Sequence, residues 1–237
     1  MKLLAIETST EYCSVALWQD GVVSARSEKV GQKHSEVLMA MVDAVLKEAG
    51  RKIKEMDGIA FGKGPGSFTG VRIACGVAQG LAFGVDVKVV GVCTLQALAE
   101  ASGKDKVIAA LDARMGEIYL AAYVKEGNVW RTVVEPCLCK AEDAPTIAGD
   151  SWFGCGSGFA VSKALQQHYA AQMAGMDAQA VPQAQAVVRL AAVEFAQGNA
   201  VDAALALPLY LRDKVALTTR EREDERATST SSVRTAV

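Results

Sequence analysis

The sequence predicts an α/β protein built as two lobes, and three observations predict it. The chain opens on three strand patterns in succession. It then alternates helix and strand patterns. After a polar break near residue 102 it repeats the three-strand opening. Its 237 residues suit one large domain or two small ones, and a 51% hydrophobic composition supplies a sizeable core.

Residues 2–8 (KLLAIET) are a short apolar run, read as a buried strand. In 12–18 Cys13, Val15 and Leu17 alternate on one face, the period of a half-buried strand. Asp20-Gly21 is a hairpin signal and leads into a third strand near 22–28. Residues 35–49 place Val37, Leu38, Met41, Val42, Val45, Leu46 and Ala49 on one helical stripe, which Gly50 ends. A strand at 57–62, a helix at about 69–84, a strand at 87–92 and a helix at 94–101 follow. The order β-β-β-α-β-α-β-α is that of a ribonuclease-H-like lobe, the lobe type that also builds the actin, sugar-kinase and Hsp70 (ASKHA) group.

Polar SGKDK at 102–106 marks the boundary, giving a first lobe at 1–103 and a smaller second lobe at 104–216. The second lobe starts with strands at 107–113, 117–124 and 128–134. Helices are expected near 160–172 and 184–197, the latter preceded by Pro182. Residues 217–237 are polar with mixed charge and read as a mobile tail.

Composition excludes several classes. The net charge is −2, so broad electrostatic capture of nucleic acid is not expected, and direct tRNA contact is little or none. No apolar run reaches the length of a bilayer span, and the N-terminus reads as a first strand rather than a secretory signal. Six scattered cysteines without a C-x-x-C pair read as reduced thiols of a cytoplasmic protein. His34 and His168 lack partners at ligand spacing, so no metal site is expected, and His34 reads as a packing or capping residue.

Residues 62–72 (GKGPGSFTGVR) carry the most information. No Lys-Ser/Thr follows the last glycine, so this is no Walker A loop, and the glycine spacing is not G-x-G-x-x-G. A tight turn that launches a helix fits, with Ser67 or Thr69 as its cap and an outward dipole end that permits an anion. In the helix that follows, Gly76, Gly80 and Gly84 recur at i, i+4, i+8 beside a second row, Ala74, Ala78 and Ala82. Glycine is disfavoured in helix interiors by about 1 kcal/mol relative to alanine, so the row calls for close approach by another element.

IETSTEYCSVAL at 6–17, HSE at 34–36, GKGPGSFTGVR at 62–72, LDARMGEIY at 111–119 and PLYLR at 208–212 occur in that order. Together they resemble the bacterial TsaB (YeaZ) family across residues 1–215. The resemblance implies a non-catalytic subunit of the machinery that makes N6-threonylcarbamoyladenosine at position 37 of tRNAs reading codons that begin with A. It implies a TsaD-type catalytic partner, of which the family is a paralogue, a TsaE-type ATPase, and a homodimer when the chain is alone. TsaD carries metal through a His-x-x-x-His pair; the matching helix here, TLQALAEA, has no histidine.

In the family the first two helices form the partner interface. The matching candidates are Leu38, Met41, Val42 and Val45 with Val71, Cys75, Gln79 and Phe83. No cofactor of its own is expected. ATP or ADP with Mg at the junction with the catalytic partner would meet Ser67, Thr69, Arg72 or Asp112, and Arg72 pairs with Glu7 or Asp112 as the alternative. The rival reading is an ATP-dependent small-molecule kinase of the ASKHA fold, working through Asp112 and the loops at 7–11 and 62–70.

Overall fold

The computed structural model describes residues 1–212, so the tail at 217–237 lies outside the described residues. The first sheet contains β1 (Lys2–Glu7), β2 (Tyr12–Gln19), β3 (Val22–Lys29), β4 (Gly58–Gly64) and β5 (Lys88–Cys93) in the order β3-β2-β1-β4-β5. β1, β2 and β3 pair antiparallel, while β4 runs parallel to both β1 and β5. The β2–β3 hairpin closes on Asp20 and Gly21, both in the left-handed region at φ 48° and 97°, as a two-residue turn of this twist requires.

The second sheet repeats the first strand for strand. It contains β6 (Lys106–Asp112), β7 (Glu117–Glu126), β8 (Val129–Lys140), β9 (Trp152–Cys155) and β10 (Met173–Asp177) in the order β10-β9-β6-β7-β8. β6, β7 and β8 form the meander, and β9 and β10 add in parallel beyond β6. The two-lobed ASKHA-type fold is therefore present in full, with two strands that sequence reading did not find.

Helices interleave with the sheets in five layers. α1 (His34–Glu48) and α2 (Phe68–Val85) cover the outer face of the first sheet, packing Leu38, Val42, Val45, Ala74 and Ala78 against Leu4, Ile6, Val15 and Leu17. α3 (Thr94–Ala101) and α6 (Ala184–Ala196) form the layer between the sheets. Leu95, Leu98, Val187 and Ala191 join Leu3, Ala5 and Ala60 of the first sheet to Val107, Ala109 and Ala121 of the second. α4 (Ser157–Val161) and α5 (Lys163–His168) close the far face over Ile108, Leu120 and Ile118. The single helix expected at 160–172 is thus two short ones, broken at Ser162, whose extended backbone lets its hydroxyl cap α5 by accepting from Leu165 N at 3.1 Å.

The position of α6 differs from the sequence division at 103/104. That division assigns it to the second lobe, but it packs on β1, β2 and β4 of the first. Ser14 of β2 fixes its entry, because the Ser14 hydroxyl accepts a hydrogen bond from Ala184 N at 2.9 Å. The chain then returns along α2. Val201 pairs with Val89, and a 3-10 turn at Ala203–Leu205 leaves carbonyls 203 and 206 to accept from Gln79 Nε2 at 3.2 and 3.0 Å.

α2 also departs from the reading that no segment is long and apolar enough for a bilayer. By length and composition its 18 residues qualify. In the fold Ala74, Ala78 and Ala82 seat it on the first sheet.

Candidate functional site

Two regions built by α2 carry the candidate chemistry: its outer face, and the turn at its N-terminus that borders the cleft between the lobes.

The turn follows from its glycines. Gly62, Gly66 and Gly70 are spaced by four and all face the β1–β2 turn. A Cβ at Gly62 would strike the Glu7 carboxyl, one at Gly66 would strike Ser9, and one at Gly70 would strike the Thr8 carbonyl. Hydrogen bonds lock the two turns together. Thr8 Oγ1 donates to Gly70 O at 2.7 Å, and Ser67 N donates to Ser9 O at 2.7 Å. Gly66 and Gly70 are therefore taken up by contact with the chain's own backbone, and Gly62 by the Glu7 carboxyl. Gly70→Ala is expected to destabilise the chain by about 1–3 kcal/mol through overpacking. Urea denaturation measures it, and an unchanged midpoint would show that the two turns separate at no cost.

Glu7 sits at the centre of this contact, fully buried. Its Oε1 accepts from Ser9 N at 2.6 Å, while Oε2 has no hydrogen-bond partner among the described residues. Burial pushes its carboxyl above the ordinary range, outweighing the Ser9 contacts that pull it down.

The four phosphate candidates do not converge. Ser67 caps α2 by accepting from Gly70 N at 3.3 Å, and it lines the cleft. Asp112 also lines the cleft, but its carboxylate turns back on its own loop. It accepts from Arg114 N at 2.8 Å and pairs with the Arg114 guanidinium at 3.3 Å. Thr69 and Arg72 stand outside the cleft lining. Arg72 pairs with neither Glu7 nor Asp112. Its guanidinium lies 3.3 Å from the Phe68 ring centroid and 5.2 Å from that of Tyr210, a cation–π stack. The cleft itself, about 850 Å³, is walled by Ser9, Phe68, Tyr119, Tyr210 and Arg212. His34 is buried at the start of α1 with Nε2 3.2 Å from Tyr12 O of β2, a packing position; its side chain caps no N–H of the helix.

The interface candidates require a correction of face. Leu38, Met41, Val42, Val45, Val71 and Cys75 are all buried in the first-lobe core. The apolar stripe of α1 is the side that seats it on the sheet, so these six face inward. Gln79 is half-buried and occupied by carbonyls 203 and 206. Of the eight, only Phe83 stands out, at 77% exposed.

The outward face is a different row. Phe68, Arg72, Gly76, Gly80 and Gly84 fall at successive i+4 positions, all exposed. A Cβ at Gly76, Gly80 or Gly84 would meet nothing within 4 Å among the described residues. Among the described residues no sheet fills the glycine row; the alanine row does the sheet packing. Beside it α1 presents Ser35, Glu36, Met39, Ala40 and Asp43, with Met39 about half exposed. Phe68 is the residue sequence reasoning passed over. The spacing of Phe68 four before Arg72 was the available signal.

Comparison with known proteins fits this geometry. Residues 19–220 match the family model described as TsaD: tRNA N6-adenosine threonylcarbamoyltransferase. The chain is 37% identical over 225 residues to the tRNA threonylcarbamoyladenosine biosynthesis protein TsaB of Escherichia coli (strain K12), covering 91% of this chain and 96% of that one. The protein of the same description from Haemophilus influenzae is 38% identical over 228 residues, covering 91% and 95%. Among solved structures, YeaZ from Pseudomonas aeruginosa superposes with a TM-score of 0.81 at 38% identity, covering 89% of this chain and 99% of that one.

Proposed function

The chain belongs to the TsaB (YeaZ) family, and from that premise we propose that it is a non-catalytic subunit in tRNA threonylcarbamoyladenosine biosynthesis. It docks on a TsaD-type catalytic subunit, holds it in its active conformation, and works together with a TsaE-type ATPase in the cytoplasm. Alone, it pairs with a second copy through the same face.

The observation that carries the reading is the bare glycine row of α2, open at Gly76, Gly80 and Gly84 and flanked by Phe83 and Met39. A helix with no side chains along one ridge lets a partner backbone come close, and a row at i±4 favours a crossing near −50°. Exposed large apolar groups beside that floor supply the area that docking removes from water. Any ATP or ADP with Mg would lie at the junction with the partner, next to the α2 N-terminus and Arg72. With a net charge of −2, direct tRNA contact is minor.

The test is transfer of the threonylcarbamoyl group to tRNA by TsaD and TsaE of the same source, with threonylcarbamoyl-adenylate supplied and this chain added or omitted. Sustained turnover only when the chain is added, with no ATP hydrolysis by the chain alone, is the expected result. Transfer indifferent to the chain would overturn the reading. Rapid ATP turnover by the isolated chain would put the small-molecule kinase in its place.

A further inference from the structure

We propose that the segment Leu207–Arg212 is a tether that transmits occupancy of the outer face of α2 to the cleft between the lobes. The proposal rests on the docking reading and extends it to a consequence inside the chain.

The tether has three attachments within six residues. Leu209 N donates to Lys63 O at 2.6 Å, which fastens it to β4 of the first lobe. Behind this point Ala206 O accepts from Gln79 Nε2 at 3.0 Å and from Cys75 Sγ at 3.4 Å, so the approach is held against α2. Tyr210 then joins the first turn of α2, its ring 5.9 Å from Phe68 and 5.2 Å from the Arg72 guanidinium. Arg212 crosses to the second lobe. It pairs with the Glu117 carboxylate, donates to Arg114 O at 3.4 Å and reaches Met115 Sδ at 3.7 Å.

The turn that Arg212 grips is a cleft wall with an unusual backbone. Arg114, Met115 and Gly116 are all left-handed, at φ 64°, 56° and 74°. Two consecutive non-glycine residues in that region persist only where the surroundings hold them. Within the turn the Asp112 carboxylate holds Arg114 N, Glu117 N donates to Arg114 O at 3.0 Å and Ala113 N to Glu117 O at 3.0 Å; the Arg212 guanidinium is a second donor to Arg114 O. The tether therefore supplies a clamp on Arg114 O that comes from outside the turn.

The other end of the tether meets the docking row. Phe68 and Arg72 continue the ridge of Gly76 and Gly80, so a partner on that ridge presses on the stack that includes Tyr210. Ordering the stack orders Tyr210, then Arg212, then the turn at 112–117. The linkage is reciprocal, so a small molecule that tightened the turn from within the cleft would strengthen docking on α2.

Amide hydrogen exchange by mass spectrometry tests this, using the full chain with and without a TsaD-type catalytic subunit of the same source. In the wild type, peptides of α2 become protected on complex formation, and the peptide spanning 111–119 slows on the order of tenfold. In Tyr210→Ala the α2 protection persists and the response at 111–119 is lost. In Arg212→Ala the 111–119 peptide exchanges faster even in the free chain and no longer responds. Protection of α2 with 111–119 unchanged would overturn the coupling. So would a response at 111–119 that survives in both variants, which would mark direct contact by the partner. No protection at α2 would instead sink the docking reading itself.

Discussion

Gly80→Arg is expected to abolish association with the catalytic subunit, and with a second copy of the chain, while the isolated chain stays folded. A side chain at position 80 enters open space, because nothing within the described residues lies within 4 Å of its Cβ. The free chain therefore accommodates arginine, and replacing a helix-interior glycine favours the helix by about 0.5–1 kcal/mol. In a complex the same side chain lands between two backbones. It holds them apart or leaves a charge buried without a partner, at roughly 3–5 kcal/mol, a loss of about 100-fold or more in affinity. Gly80→Ala separates the two effects on a smaller scale, raising the stability of the free chain and weakening association. Calorimetric binding and thermal melts of the free chain measure both. Wild-type affinity in Gly80→Arg would show that the partner docks elsewhere.

Val42→Glu is expected to act in the opposite way, through the fold. Val42 is 3% exposed and packs with Leu38, Val45, Leu4, Ile6 and Val15 between α1 and the first sheet. No cation faces it inside that cluster, so a carboxylate there is either buried without a partner or protonated at a cost. A destabilisation of about 3–5 kcal/mol follows, which is a large part of the stability of a chain this size. Urea denaturation of the free chain reads it directly. A variant that melts normally yet fails to associate would return Val42 to the docking surface and reverse the assignment of faces.

The contrast between these two positions shows what the sequence exposes and what it hides. Apolar periodicity reports that α1 has a buried face, and it found every apolar residue of that face, including Leu38, Met41, Val42 and Val45. It does not say whether the burial is against the same chain or another, and here the same chain supplies it. The glycine row was legible as an anomaly, since helix propensity gives no reason for Gly76 and Gly80. Which of the two small-residue rows faces outward depended on where the sheet lies, a tertiary fact.

The three-strand openings of both lobes were legible because each opens on a continuous apolar run, KLLAIE or KVIAALD, and continues through longer strands. β9 is four residues, Trp152–Cys155, with a glycine inside it, and β10, MAGMD, has no β-branched residue, so neither carries a strand pattern. The role of Gly62, Gly66 and Gly70 was half legible. Their presence announced a tight turn, but not the group packed against it, the turn at Glu7–Ser9, which lies more than fifty residues away in sequence. The Arg72 stack was not legible, because Tyr210 reaches it only through the return of the chain after α6.

That return has a bearing on how the protein comes into being. The inner face of the first sheet, with Leu3, Ala5, Ala16 and Ala60, is covered by α6, whose residues are 184–196. During synthesis the first strands leave the ribosome long before that cover exists. The N-terminal lobe is thus an incomplete body until residues 184–196 are made, its apolar sheet face only partly covered by α3 before then. A fragment cut at the lobe boundary carries the same partly covered face, so the two lobes are one unit of folding although they look like two units of architecture.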